Sequence, residues 1–323
     1  MTLVTLSDIQ QARARIKDLA RPTPLLPLAL PELPSEHVWL KPESLQAIGS
    51  FKIRGAGNRL VALNAEERAR GVLAYSSGNH AQGVAYAARA LGIRATIVMP
   101  TTAPHVKITA TRALGAEVIL FDPAHEKREA VAARLLAAAP APPVLVPPFD
   151  DPHVIAGQGT IGLEIFEELP AVDLVLAPVG GGGLLSGVGA ALKALRPSVK
   201  IIGVEPELAA DAQASWRAGR VVEWAAADTG RTLADGVRTL AVSELTLSHL
   251  RAYADDIVTV SEAEIRAAAR RLLLEARLVV EPTAALPLAA LLRHRATLPA
   301  SANTVLILTG GNVDPAVLAE LLA

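Results

Sequence analysis

Short runs of apolar and β-branched residues alternate with alanine-rich stretches along most of the chain, and this alternation narrows the possible folds more than any other feature. Val72–Ser76, Ala95–Pro100, Glu117–Phe121 and Val144–Val146 read as buried strands, with Asn79–Leu91, His105–Leu114 and His125–Ala138 as the helices between them. Strands joined through helices run parallel, which gives an α/β unit of four strands. Pro140, Pro142, Pro143, Pro147 and Pro148 punctuate the chain on either side of the last strand. A second series follows, with Asp173–Ala177, Lys200–Glu205, Asp256–Val260 and Thr304–Thr309 as strands, again with helices between. Two parallel-sheet domains are expected, with ligands in the cleft at the carboxyl ends of the strands. Ser7 and Gln10 have the spacing of a capping box that opens an amphipathic helix, and Pro282 fits the first position of another. Residues 209–235 show no clear period and are expected to be partly irregular.

The composition removes several functional classes. A net charge of −1 leaves no basic field for nucleic acid or an anionic membrane. With no cysteine there is no disulfide, thiolate nucleophile or cysteine-based zinc site. The start of the chain has no basic segment followed by an apolar one, and no apolar stretch of membrane-spanning length is free of charge and proline. A soluble cytoplasmic protein with an Ala/Leu/Val core is expected.

Only seven of the 31 basic residues are lysines, and one of them, Lys52, stands between Phe51 and Ile53. An apolar setting lowers an amine's pKa, and a neutral amine can form a Schiff base with a carbonyl. A snorkelling surface lysine would look the same in isolation. Further on, a strand at Asp173–Pro178, the loop Gly180-Gly181-Gly182-Gly183 and a helix over Leu184–Leu195 follow without a gap to spare. Glycine amides at a helix N-terminus can cup an anion. The same stretch nearly fits a dinucleotide fingerprint, Gly181-x-Gly183-x-x-Ser186 with Glu205 ending the next strand. Serine at the third small position and the fourth glycine fit that reading poorly, and it has no use for Lys52. A phosphate-bearing aldehyde uses both features, one end needing a cradle and the other an amine. That cofactor is pyridoxal phosphate.

Three other polar groups stand at strand ends. Ser76-Ser77-Gly78-Asn79-His80 offers hydroxyls and amides that can hold a substrate carboxylate. Thr309-Gly310-Gly311-Asn312 is a turn where a neutral hydroxyl could meet a ring nitrogen. Glu205 and Asp211, with Glu207 between them, could supply oxygen ligands to Mg²⁺ or Ca²⁺, or could be solvated surface acids.

With Lys52, the serine-asparagine loop and the tetraglycine turn in that order, the chain resembles the threonine dehydratase and serine racemase family, pyridoxal phosphate enzymes of fold type II (tryptophan synthase β-like). The resemblance runs from about Leu6 to Asp314. It is carried by Ser50-Phe51-Lys52-Ile53-Arg54-Gly55-Ala56, Ser76-Ser77-Gly78-Asn79-His80-Ala81-Gln82-Gly83, Ala156-Gly157-Gln158-Gly159-Thr160, Gly180–Gly183, Ala234-Asp235-Gly236-Val237 and Thr309-Gly310-Gly311-Asn312. It implies a large cofactor-binding domain of residues 1–53 plus 148–323 and a small mobile domain of residues 54–147. Lys52 would hold the cofactor as a Schiff base and shuttle the Cα proton. Phe51 would line the ring, Asn79 would bond the ring hydroxyl, Thr309 would face the ring nitrogen, and Gly180, Gly181, Gly182, Gly183 and Leu184 would bind phosphate. Ser76, Ser77, Gly78, Asn79 and His80 would hold the substrate. Glu205, the carbonyl of Ala209 and Asp211 match the divalent-cation site (Mg or Ca) of the racemase-like branch.

The activity so implied is that of an L-threonine/L-serine dehydratase, an ammonia-lyase giving 2-oxobutanoate or pyruvate and ammonia. The family more often has serine at position 309, and threonine keeps the hydroxyl. A hydroxyl rather than an acid at the ring nitrogen weakens the electron sink, which favours prompt loss of the β-hydroxyl. Ser77 keeps a serine racemase open, because racemases use a serine there as a second acid/base, whereas biosynthetic threonine dehydratases usually carry alanine. Ala81, where mammalian-type racemases have glycine, leans back towards the dehydratase. Dehydration of another β-hydroxy amino acid such as threo-3-hydroxyaspartate is a further alternative, although the sequence does not place the extra cation it would need. A non-catalytic amino-acid sensor lies outside the class, and intact Lys52 speaks against it. The family suggests a homodimer. No residue follows Ala323, so isoleucine inhibition through a regulatory domain is not expected.

Overall fold

Apolar runs bounded by turn residues form strands in two separate sheets of the computed structural model, which describes residues 2–76, 78–103 and 105–322. The chain begins with α1 (Leu6–Ile16) and a hairpin of β1 (Leu26–Leu28) and β2 (His37–Pro42). α2 (Lys52–Val61) and α3 (Ala65–Arg70) lead into β3 (Val72–Tyr75), β4 (Ala95–Pro100), β5 (Glu117–Phe121) and β6 (Val144–Leu145). Between these strands lie α4 (Asn79–Leu91), α5 (His105–Ala113) and α6 (Arg128–Ala138). α7 (Pro152–Glu168) returns the chain to the first sheet, where β7 (Leu174–Pro178), β8 (Lys200–Pro206), β9 (Asp256–Val260) and β10 (Asn303–Leu308) complete it. Its helices are α8 (Gly183–Leu195), α9 (Asp211–Ala218), α10 (Ala226–Thr229), α11 (Glu244–Tyr253), α12 (Glu262–Leu274), α13 (Pro282–His294) and α14 (Pro315–Leu322).

The strand orders are β1-β2-β10-β7-β8-β9 and β5-β4-β3-β6. Every pairing is parallel except β1 with β2. The α/β class and the parallel strands agree with the sequence pattern. What the pattern did not reveal is the edge hairpin, where Pro27, Lys41 and Pro42 interrupt the apolar run. β2 is a strand because β10 pairs with it, Thr304 opposite Val38 and Leu306 opposite Leu40. One expectation is corrected at the N-terminus. The cap of α1 is Thr5, whose hydroxyl accepts from the Asp8 amide while Asp8 accepts from the Thr5 amide; Ser7 lies inside the first turn. Pro282 is the first residue of α13, as expected. Among the described residues no helix is long and apolar enough to cross a membrane.

α7 is the helix that sets the geometry of the cleft. It is buried from Val154 to Ile165 and packs on both α2 and α8. Glycine permits this: a Cβ at Gly157 would lie 2.5 Å from the Arg54 carbonyl, and one at Gly159 would lie 2.8 Å from the Gly187 carbonyl. The N-termini of α2 and α8 are thereby placed by one shared neighbour. Beneath α2 a buried charge network fixes it further. Arg54 meets Glu43 at 2.7 Å and Glu164 at 2.5 Å, and Lys41 meets Glu164 at 2.8 Å. Burial opposes charge on Arg54, but the two glutamates hold it protonated.

Candidate active site

The carboxyl ends of β3, β7 and β10 and the N-termini of α2, α4 and α8 enclose a cavity of about 380 Å³. Lys52, the first residue of α2, opens into it, with Phe51 just before. The Lys52 amine donates to the Pro148 carbonyl at 2.9 Å and lies 5.1 Å from the Phe51 ring centre. Burial lowers its pKa to about 8, against the pull of the Glu281 carboxylate. The lowered pKa expected from the sequence is thus found in the fold, where it comes from burial in the cavity wall.

Gly180–Gly183 and Leu184 line another part of the same cavity. Gly182 has φ +86°, a left-handed conformation that glycine adopts without strain, and Gly183 begins α8. A Cβ on Gly181 would run into the Phe149 ring, so the loop can follow this path only without one. The first amides of a helix have no partner within it and carry the positive end of its dipole, so this corner is built for an anion. A phosphate cradle and a low-pKa amine in one cavity fit a phosphate-bearing aldehyde.

Asn79, the first residue of α4, is held from two sides. Its Nδ2 donates to both oxygens of Glu281, at 3.1 and 3.0 Å, and its Oδ1 accepts from Asn312 Nδ2 at 2.8 Å. Thr309 Oγ1 lies 3.5 Å from Glu281 Oε1. Burial and then nearby Asp235 push Glu281 up to about 7, while Asn79 and Lys107 oppose the shift. Ser76 and Gly78 join the cavity lining, and Ser76 Oγ accepts from the Gly78 amide at 3.3 Å. His80 is buried, and its Nε2 lies 2.9 Å from the Val146 carbonyl, so that nitrogen carries the proton. Burial and the Lys52 charge lower its pKa to about 3, which keeps it neutral. Ser77 lies outside the described residues.

Several lining residues had no functional reading in the sequence. Glu281, Lys107 and Arg128 carry no signal in the sequence, and Asp235 stands there only as part of a matched motif with no role attached. Lys107 Nζ meets Asp235 Oδ2 at 2.6 Å. Arg128 stands over the Tyr75 ring, 5.5 Å from its centre. No local pattern gives these side chains a role, because the neighbours that do so lie far away in the chain.

Glu205 and Asp211 come together outside this cavity, behind Thr239, which lines it. Glu205 is fully buried and accepts from the amides of Ala212 and Gln213 at 3.0 and 2.7 Å. Asp211 begins α9; its Oδ1 lies 3.4 Å from Thr239 Oγ1, and its Oδ2 is buried without a partner. Burial, then the Asp211 charge, raises Glu205 well above the usual range, and burial raises Asp211 to about 7. Ala209 is fully buried, whereas Glu207 is exposed. Among the described residues, no cluster of three His, Cys, Asp or Glu side chains is arranged to hold a metal ion. An orphaned buried oxygen beside a second buried carboxylate is a donor set that a cation can satisfy.

A family model described as pyridoxal-phosphate dependent enzyme matches residues 16–310. An L-threonine ammonia-lyase of Thermotoga maritima is 46% identical over 97% of this chain and 76% of its own length. An L-threo-3-hydroxyaspartate ammonia-lyase of Saccharomyces cerevisiae is 42% identical over 97% of this chain and 95% of its own. Among solved structures, serine racemase from maize superposes with a TM-score of 0.93 at 35% identity, covering 99% of this chain and 97% of that one.

Proposed function

The chain belongs to the pyridoxal-phosphate dependent enzymes, and from that premise we propose that it is an L-threonine/L-serine ammonia-lyase, releasing ammonia and 2-oxobutanoate or pyruvate. The observation that carries this reading is the placing of the Lys52 amine and the Gly180–Gly183 loop in one cavity. Lys52 would hold the cofactor's aldehyde end, the glycine loop and the first turn of α8 its phosphate, and Phe51, Asn79 and Thr309 its ring. When bound, pyridoxal phosphate supplies an electron sink for the charge left at Cα.

The chain's own side chains do the rest. Lys52 Nζ, whose pKa burial lowers to about 8 when the amine is free, would take the proton from Cα and return one once the substrate's amine has replaced it at the aldehyde. Ser76, Gly78 and the start of α4 offer hydroxyl and amide donors for the substrate carboxylate. Neutral His80, tied to Val146, keeps a second positive charge away from Lys52. Ser77 would be a second acid/base, and its hydroxyl makes racemisation a side reaction to look for.

A dicarboxylate substrate is the second reading, favoured by Arg128, which lines the same cavity as Lys107, the partner of Asp235. The hydroxyaspartate ammonia-lyase among the relatives points the same way. Glu205, the Ala209 carbonyl and Asp211 would hold a divalent cation, Mg²⁺ or Ca²⁺. Residues 54–147 would form a small domain that moves against residues 1–53 and 148–323. We place the enzyme in the cytoplasm as a homodimer.

The test is 2-oxo acid release from L-threonine, L-serine and L-threo-3-hydroxyaspartate, by wild type and Lys52→Ala, with and without EDTA. Release of 2-oxobutanoate that Lys52→Ala abolishes is the expected result. Cofactor-loaded protein that released nothing from threonine or serine would overturn the reading, and turnover of hydroxyaspartate alone would replace it with the second.

A further inference from the structure

Asn79 is useful to a ligand only if its amide points one way, and an amide can be turned end for end at no cost unless its neighbours decide. Here the decision begins at a backbone carbonyl. Ile48 C=O can only accept, so the Asn312 atom 2.9 Å from it is Nδ2. That same nitrogen lies 2.8 Å from Asn79, whose facing atom is therefore the acceptor Oδ1. Asn79 Nδ2 is left to face the Glu281 carboxylate, which takes it at 3.1 and 3.0 Å. The polarity runs from Ile48 through Asn312 and Asn79 to Glu281 and cannot be reversed without losing the bond to Ile48.

The surrounding backbone makes room for this chain and holds its parts together. A Cβ on Gly49, whose φ is +70°, would overlap Asn312 Oδ1, and one on Gly310 would lie 2.9 Å from Glu281 Oε1. The Gly311 amide donates to Gly49 at 2.9 Å, the Phe51 amide to Thr309 at 3.1 Å, and the Glu281 amide to Gly310 at 3.0 Å. The turn that carries Asn312 is therefore bonded to the segment that delivers Phe51 and Lys52 and to the residue that opens α13. Lys52, Lys107 and Asp235 are the charged groups around Glu281.

We propose that Asn312 is a positioning residue, which fixes the amide of Asn79 with Nδ2, and not its oxygen, on the Glu281 side, where one hydrogen serves the carboxylate and the other is left for the cofactor. The inference rests on the placing of Asn79 in the cofactor site. It explains why the Thr309-Gly310-Gly311-Asn312 turn ends in an amide: the turn has to supply a donor to two acceptors at once, a task a carboxylate cannot perform.

The experiment is a double-mutant cycle on pyridoxal phosphate binding to the apoenzyme, read as a dissociation constant and as the absorption maximum of the bound cofactor. Asn79→Ala, Asn312→Ala and the double variant are compared, with thermal unfolding to establish that each is folded. Each single change is expected to weaken binding by about tenfold, the scale of one hydrogen bond, and to shift the absorption maximum. The double variant is expected to bind no more weakly than Asn79→Ala alone. If Asn312→Ala does not fold, Asn312→Asp takes its place, since it keeps the shape and loses both donated bonds. Additive losses, or full binding and an unshifted spectrum in the Asn312 variants beside a weakened Asn79→Ala, would overturn the inference and leave the cofactor site standing. Full binding by Asn79→Ala would remove the premise, and the inference with it.

Discussion

Arg54 grips both carboxylate oxygens of Glu43, with Nε 2.7 Å from Oε2 and Nη2 2.8 Å from Oε1, two residues from Lys52 and almost out of reach of solvent. The pair forms part of a set in which Arg54 and Lys41 meet the buried anions Glu43 and Glu164, with the more exposed Glu168 3.6 Å from Lys41. Such a set contributes little net stability, but removing one member leaves a buried charge uncompensated. Arg54→Met is expected to destabilise the protein by about 3–5 kcal/mol in urea unfolding. Arg54→Lys keeps the charge and loses the fork, so it is expected to fall between the two. A change in Arg54→Met no larger than that of a surface substitution would show that the network has no structural role.

The Lys52 amine has its own pH signature. An ordinary lysine reacts with aldehydes and acylating reagents only as the pH approaches about 10.4. Burial of Lys52 moves its midpoint to about 8, so its reaction rate in the apoenzyme is expected to rise through pH 8 and level off above it. The sign follows from the neutral amine being the nucleophile. Rate measurements with pyridoxal phosphate between pH 6 and 11 decide the matter, and a midpoint near that of a free lysine would contradict the buried setting.

Gly181 is where a single methyl group is expected to damage the phosphate cradle. Its Cβ would overlap the Phe149 ring, so Gly181→Ala must push either the ring or the loop aside. Overpacking of this kind costs about 1–3 kcal/mol, on the order of tenfold or more if the loss falls on cofactor affinity. Titration of the apoenzyme with pyridoxal phosphate measures it. The double variant Gly181→Ala/Phe149→Ala is expected to recover part of the loss, and unchanged affinity in the single variant would place the phosphate elsewhere.

If Glu205 and Asp211 hold a cation as proposed, its removal is expected to act on stability. Glu205 and Asp211 repel each other in a buried setting, and a cation bound between them in the folded state alone raises the unfolding temperature. At a hundredfold excess over its dissociation constant the gain is about 2.7 kcal/mol. Mg²⁺ or Ca²⁺ is therefore expected to raise the melting temperature by several degrees and EDTA to reverse it, while Asp211→Asn abolishes the response. A melting temperature indifferent to both ions would argue that the two acids are a structural pair.

Much of the site was legible because its signals are local. A strand, four glycines and a helix within a few residues suggest an anion cradle, and beside that cradle Phe51-Lys52-Ile53 reads as a desolvated amine rather than a snorkelling lysine. The helix of residues 79–91 and the strands of residues 95–100, 117–121 and 256–260 were legible for the same reason, since hydrophobic period and turn chemistry are properties of short segments. Thr5 was missed as the cap of α1 because Ser7-x-x-Gln10 carries the same short signal two residues later.

The sequence by itself determined the α/β architecture and marked the lysine and the glycine loop on which the proposed function rests. Only the tertiary structure decided how they are held. Asn312 meets Ile48 across 264 positions of the chain, and Asn79 meets Glu281 across 202. β2 becomes a strand because β10 lies beside it, and Lys107 finds Asp235 only across the cleft. A side chain's hydrogen bonds and ionisation depend on the neighbours that packing brings within about 3–4 Å, and no local period encodes which neighbours those are.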